Sequence, residues 1–232
     1  MGIYNELLYK PLLNITVFLY NLIPGGDLGV SIIVLTVFIR LIFLPLTTKT
    51  VLSQRAINRL NPQIKAIKEK YKNDSAAQHA ATLKLYKENN VNPMAGCLPL
   101  LIQLPILIAL YQVFVGIFKP ESLGLLYGFI SNPGVINEKF LNLVNMAKPN
   151  ALLTLFAGGL QFLQAKQASA YSKEQGQDLN KEMAALNGQM LYFFPILIII
   201  IGWNLPAGLM VYWATTTALS IAEQAYIKWK HK

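Results

Sequence analysis

The sequence predicts an all-α, polytopic membrane protein with five transmembrane helices. Three observations support this fold class. The chain of 232 residues is 54% hydrophobic with only 13% charged residues, it contains five apolar runs, and its basic residues are concentrated between those runs. The runs are apolar on all sides, whereas the helices of a soluble bundle carry a polar face along their length. Lipid is therefore the expected solvent around them.

The apolar runs give approximate bounds for the five spans, at residues 28–48, 94–118, 151–166, 190–203 and 207–222. Only Asn204-Leu205-Pro206 separates the last two runs, which predicts a tight turn and a helical hairpin. A run of about 14 residues rises ~21 Å, against a hydrocarbon core of ~30 Å. Because several spans are this short, we expect the bilayer to thin around them or water to enter between them.

Residues 1–26 form an N-terminal unit that precedes the core at residues 27–232. Between Tyr4 and Ile23, apolar residues recur at helical spacing, and Pro24-Gly25-Gly26 follows as a helix end. This pattern predicts an amphipathic helix that lies in the membrane interface, on the outer side of the bilayer. A sixth span is less favoured because four polar residues interrupt the segment, namely Asn5, Lys10, Asn14 and Asn21.

The basic residues set the topology. Fifteen Lys and Arg residues fall in the loop after the first run, the loop after the third run and the C-terminal tail, against four on the other side. The positive-inside rule then places the N-terminus outside and the C-terminus in the cytoplasm.

The first cytoplasmic loop has its own helical pattern. Residues 54–90 predict a basic helical hairpin, whose first helix begins at the Asn61-Pro62 cap. Its second helix follows the turn at Lys72-Asn73-Asp74-Ser75. We expect this hairpin to be mobile and to recruit substrates or targeting partners, because its charged faces offer little apolar area for docking.

Arg40 lies inside the first span and keeps its charge at any physiological pH. A charge at the centre of a transmembrane helix costs ~2.5–3.5 kcal/mol on insertion scales. None of the five runs contains Asp or Glu, which predicts an unpaired cation that water must reach. The alternative is that Arg40 extends to the cytoplasmic surface. Polar residues in the other spans favour a hydrated, positively charged groove, as do four prolines. These residues are Thr36, Gln103, Gln112, Thr154, Gln161 and Asn204, with Pro45, Pro99, Pro105 and Pro195.

The chain offers few residues for catalysis or metal binding. Its one cysteine is Cys97 and its two histidines are His79 and His231, and no nucleotide-binding or hydrolase motif is present. We therefore expect no enzymatic activity, no catalytic residues, no cofactor and no metal. An intramembrane hydrolase is disfavoured because no run contains a histidine or carboxylate. A small transporter or channel is the alternative class, although it predicts internal repeats that are not evident.

Several segments together resemble a known family, the YidC insertases of bacteria and their relatives, the mitochondrial Oxa and chloroplast Albino proteins. The resemblance runs from about Asp27 to Ala225, in the same order and spacing. The matching segments are Thr36–Thr47, Asn92-Pro93, Cys97–Ile106, Ala109–Tyr111, Phe193–Pro195 and Leu205–Trp213. Many Gram-negative members also carry an additional N-terminal span and a large periplasmic domain, and many Gram-positive members a lipoprotein cysteine, which this sequence does not show.

The resemblance implies a membrane protein insertase and chaperone that uses five spans around a cytoplasm-facing hydrophilic groove, without nucleotide hydrolysis, in the bacterial inner membrane. The implied partners are nascent membrane proteins and membrane lipids. The Sec translocon, the ribosome and signal recognition particle components are further candidates, and no sequence-specific nucleic acid binding is implied. The family's groove arginine falls on Arg40. Its other groove positions fall on Thr36, on Gln103 and on Trp213 beside Tyr212, the aromatic site that contacts substrates.

Overall fold

A computed structural model of the chain describes residues 2–92, 98–174 and 181–230. The described part is mainly helical, with one two-stranded antiparallel sheet within residues 139–145. Its elements are a π-helical turn (Asn5–Tyr9), α1 (Lys10–Leu22), α2 (Leu28–Lys70), α3 (Ser75–Glu88), α4 (Leu98–Gly116), α5 (Pro120–Leu123), β1 (Lys139–Phe140), β2 (Val144–Asn145), α6 (Ala151–Glu174), α7 (Lys181–Gly202) and α8 (Ala207–Lys230). The predicted start of the second span at residues 94–97, with Cys97, lies outside the described residues, as does His231.

The described helices are longer than the apolar runs that predicted them. Helices α6 and α8 each contain 24 residues and α7 contains 22, a rise of about 33–36 Å. The expectation of short spans therefore applies to the apolar stretches and not to the helices. Among the described residues, α2 is the one helix that is long and apolar enough to cross a bilayer, and shorter apolar stretches occupy Leu101–Gly116 and Tyr192–Gly202.

Helix α8 lies at the centre of the packing. It contacts α2 on one side and α6 on the other, and α6 in turn packs against α7. The predicted turn between the last two runs is present, with helix α7 ending at Gly202 and α8 beginning at Ala207. Within the described residues the two arms of this hairpin pack mainly against α6 and have few contacts with each other. A short connection fixes where α8 begins but not which neighbour it packs against.

The N-terminal helix packs on the end of the bundle that is farther from α3. The segment predicted at Tyr4–Ile23 is helical as the π-helical turn and α1, and Leu13 and Val17 of α1 are fully buried in the main core. Asn14 is also buried there. Its amide donates to the Leu125 carbonyl at 3.3 Å and its side-chain oxygen accepts from the Tyr127 amide at 2.7 Å.

The loop between α4 and α6 closes over the same end. The Asp27 carboxylate caps α2 through the Val30 amide and also accepts a hydrogen bond from the Leu141 amide at 2.7 Å. Gly29 permits this close approach, since a Cβ there would lie 2.2 Å from the ring of Phe140. Phe114 of α4 belongs to the same continuous core. This end of the bundle is therefore well packed.

The hairpin differs from its prediction at its first helix. The expected start at Asn61-Pro62 is wrong, because α2 continues without a break from Leu28 to Lys70 and contains Pro62 in its interior. Leu60 and Ile64, on either side of this proline, pack together against Leu85 of α3. That contact outweighs the one hydrogen bond that a proline removes from a helix. The second helix follows the predicted turn, with Asp74 capping α3 through the Ala77 amide at 2.9 Å.

Candidate functional site

A cavity of about 360 Å³ lies between α2, α4, α6 and α8. It occupies the half of the bundle next to the hairpin, since its α2 wall runs from Thr36 toward the hairpin end of that helix. All five residues predicted for the groove line this cavity: Arg40, Thr36, Gln103, Tyr212 and Trp213. The other lining residues are Ile39, Phe43, Leu46, Thr47, Thr50, Val51, Ile102, Ile106, Gln161, Gln164, Thr216, Thr217, Ser220, Glu223 and Gln224.

The Arg40 guanidinium is held against α8. Its Nη2 donates to the Thr216 carbonyl at 2.9 Å and to the Ser220 hydroxyl. These acceptors are one turn apart on α8, so that a single nitrogen of Arg40 reaches both. The Nε atom is buried without a hydrogen-bond partner in the described part of the chain. Arg40 therefore retains unused donor capacity, and its side chain is partly exposed.

Glu223 is a counter-charge that the sequence prediction excluded. Its Oε2 lies 3.9 Å from Arg40 Nη1, and its Oε1 accepts hydrogen bonds from the hydroxyls of Thr47 and Thr48. The expectation of an unpaired cation is wrong, and so is that of a net positive groove, since the described lining residues carry one charge of each sign. Helix α8 continues past the last apolar run to Lys230. Its next turn contains Glu223, which contacts Arg40 and Thr47 of α2.

A second polar pair crosses the cavity from α4 to α8. The Gln103 amide donates to the Tyr212 hydroxyl, and the Tyr212 side chain is almost fully buried. Thr36 is also buried, and its hydroxyl donates to the Ile32 carbonyl of its own helix at 2.6 Å. Thr36 therefore forms part of the cavity wall, but its hydroxyl hydrogen is used within its own helix and is not free to bind a ligand.

Trp213 is oriented by Gln161, which is not among the five predicted groove residues. Its indole N–H donates to Gln161 Oε1 of α6 at 3.1 Å, and the Thr217 hydroxyl donates to the same oxygen at 3.4 Å. Ser220 and Glu223 were also missed. The signal for both was the spacing of Thr216, Ser220 and Glu223, which places polar groups on one face of α8.

The arrangement can hold water and polar groups. Its volume leaves room for several water molecules, each of which takes up ~30 Å³ in the liquid. Within residues 2–92, 98–174 and 181–230, no group of three or more His, Cys, Asp or Glu side chains is placed to hold a metal ion. What the site offers is one guanidinium, one carboxylate, and amide and hydroxyl groups between helices of an otherwise apolar bundle.

The fold and this cavity define a helical membrane protein with a polar site between its helices. The family described as 60Kd inner membrane protein matches residues 18–232 of the sequence. The chain belongs to this family, which confirms the predicted resemblance.

Relatives and a solved structure agree with the family assignment. The chain is 35% identical over 202 residues to a membrane protein insertase YidC of Fusobacterium nucleatum. This alignment covers 87% of this chain and 86% of that protein. It is 31% identical to a YidC of Pelobacter propionicus, covering 94% of this chain but 38% of the longer relative. A crystal structure of an active YidC insertase with its first transmembrane domain resolved is similar, with a TM-score of 0.63 and 28% identity, covering 96% of this chain and 46% of that one.

Proposed function

We propose that this chain is a membrane protein insertase that receives the polar segment of a nascent membrane protein in the cavity around Arg40. The observation that carries the proposal is the asymmetry of the bundle. One half is closed by α1, the long loop and an apolar core, whereas the other half holds a cavity with charged and polar lining residues. The names of the relatives support the insertase prediction rather than the transporter or channel alternative.

The cavity lowers the cost of bringing polar groups to membrane depth. A polar group transferred to an apolar medium without a hydrogen-bond partner costs roughly 2–7 kcal/mol. Water and the side chains of Gln103, Gln161 and Arg40 can supply such partners part of the way across the bundle. The segment then needs to cross only the remaining distance, while its apolar part moves into lipid. The hydrophobicity of the substrate and the membrane potential drive the movement.

The orientation follows from the charge distribution. The hairpin formed by the end of α2 and α3 carries eight of the 20 Lys and Arg residues and lies on the cavity side, so we place the cavity toward the cytoplasm. The hairpin has a small apolar core of its own, formed by Leu60, Ile64 and Leu85. Such a separate unit suits the recruitment of substrates. Contacts with a Sec translocon, a ribosome or signal recognition particle components stay predictions.

Crosslinking tests where the substrate lies. A photoreactive residue at Gln103 or Trp213 should crosslink to the polar segment of a nascent membrane protein, because both side chains line the cavity and are partly accessible. The matched control is Ile108, which is exposed on α4 but does not line the cavity. Polar-segment crosslinks of equal yield from Ile108 and Gln103 would contradict the proposal. Thr36 is a poorer probe because it is fully buried.

A further inference from the structure

We propose that Glu223 is an exchangeable counter-ion for Arg40, and that an acidic side chain of the inserting segment takes its place. The inference rests on the proposed function, since it concerns the substrate that enters the cavity. It adds a residue that sets specificity for acidic segments, and it explains how the cavity can hold a cation while no substrate is bound.

The contacts of Glu223 show that it is anchored beside the guanidinium rather than on it. One carboxylate oxygen accepts from the Thr47 and Thr48 hydroxyls of α2. The other lies 3.9 Å from Arg40 Nη1, which is an ion pair by distance but too long for a hydrogen bond. The carboxylate thus compensates the charge without forming the bidentate contact that an arginine favours.

The guanidinium keeps donors that form no hydrogen bond in the described part of the chain. An arginine has five N–H donors. In the described structure, Nη2 serves Thr216 and Ser220, while Nη1 and Nε form no hydrogen bond. The side chains of Arg40 and Glu223 are 21% and 11% exposed, and both line a cavity wide enough for another carboxylate. An entering Asp or Glu can therefore bind Arg40 more closely than Glu223 does.

Counter-ion exchange and a purely structural ion pair predict different effects on substrate binding when the charge of Glu223 is removed. If Glu223 competes with the substrate carboxylate, then removing its charge should strengthen the binding of acidic segments and leave neutral ones unchanged. If Glu223 serves only to compensate a buried charge, its removal should weaken folding and the binding of both kinds of segment together.

The test measures binding of two single-span peptides, one with an aspartate and one with an asparagine in its polar tail, to the full chain in nanodiscs of neutral phosphatidylcholine. We expect Glu223→Gln to tighten binding of the aspartate peptide on the order of threefold or more and to leave the asparagine peptide unchanged. The matched control is Glu121→Gln, the same change at an exposed carboxylate outside the cavity, which should alter neither. Thr47→Val should have the opposite effect, because a carboxylate released from Thr47 can move onto Arg40 and compete more strongly.

The outcomes separate the inference from the proposed function. Weaker binding of both peptides to Glu223→Gln, with a lower unfolding temperature, would make Glu223 a structural partner and overturn the exchange. Unchanged affinity for the aspartate peptide in Glu223→Gln would also overturn it, while the proposed function would stand if Arg40→Ala abolished the preference for that peptide. If Arg40→Ala left the preference intact, the role of Arg40 in the proposed function would fail together with the inference.

Discussion

Arg40→Ala should reduce the insertion of substrates with acidic translocated segments by about tenfold, which corresponds to ~1.4 kcal/mol. A hydrogen bond to a charged group contributes ~1.5–3 kcal/mol, so the loss of one contact between the guanidinium and a substrate carboxylate is enough for this effect. Arg40→Lys should lose less, because it keeps the charge. It should not match arginine, since an ammonium lacks the planar group that contacts α8 while presenting donors to the cavity.

Proteoliposomes provide the measurement for Arg40. Insertion is followed by protection of the translocated segment from added protease, with acidic and neutral versions of one substrate compared for all three proteins. Neutral substrates are the control and should be affected less. Equal activity of the arginine, lysine and alanine proteins on acidic substrates would refute the role of Arg40. Unfolding temperatures should be measured alongside, because alanine also leaves the Glu223 carboxylate without its cation.

Phe114→Ala should lower the free energy of unfolding by about 2–3 kcal/mol. Phe114 is 1% exposed in the core that closes the end of the bundle farther from α3, where its ring approaches Gly208 of α8. In lipid the hydrophobic transfer contribution is small, and the cost comes mainly from the cavity and the lost packing contacts. A cavity of ~100 Å³ at ~24 cal/mol per Å³ accounts for this value.

Unfolding of the purified protein in detergent micelles tests the prediction for Phe114. The matched control is Phe129→Ala, in which the same change is made at a ring that is 80% exposed. We expect the unfolding temperature to fall clearly for Phe114→Ala and little for Phe129→Ala. Equal effects of the two substitutions would contradict the view that the closed end of the bundle is tightly packed.

The sequence was informative where local pattern decides the structure. Apolar runs and the Asp74 turn located the helices, because helix formation and capping depend on near neighbours. Thr36 and Arg40 line one cavity because they lie one turn apart on the same face of α2. Tyr212 and Trp213 are adjacent on α8 and meet the cavity through different neighbours, Gln103 of α4 and Gln161 of α6. The resemblance to the family indicated which of the many polar residues in the spans belong to the groove.

The missed features all depend on contacts between distant parts of the chain. Glu223 was discounted because it lies one residue beyond the last predicted span, yet it faces Arg40 across the contact between α2 and α8. The continuity of α2 through Pro62 depends on packing with Leu85 of α3. The packing of both α7 and α8 against α6 likewise has no local signal. Propensity and spacing cannot establish which helices are neighbours.

Solvent access to the cavity tests the central claim most directly. Gln103 lines the cavity, and its side chain is half-buried. In a chain with Cys97 replaced by serine, Gln103→Cys should react with a charged, membrane-impermeant thiol reagent, because only an ionised, hydrated thiol is an effective nucleophile. The control is Phe156→Cys, at a position that is exposed on α6 but outside the cavity and therefore expected to face lipid.

Reagent added to sealed vesicles from the hairpin side should label Gln103→Cys readily, and reagent from the other side should not. Phe156→Cys should stay unlabelled from both sides. Failure to label Gln103→Cys from either side would contradict a water-accessible cavity around Arg40, and equal labelling from both sides would indicate a continuous channel instead.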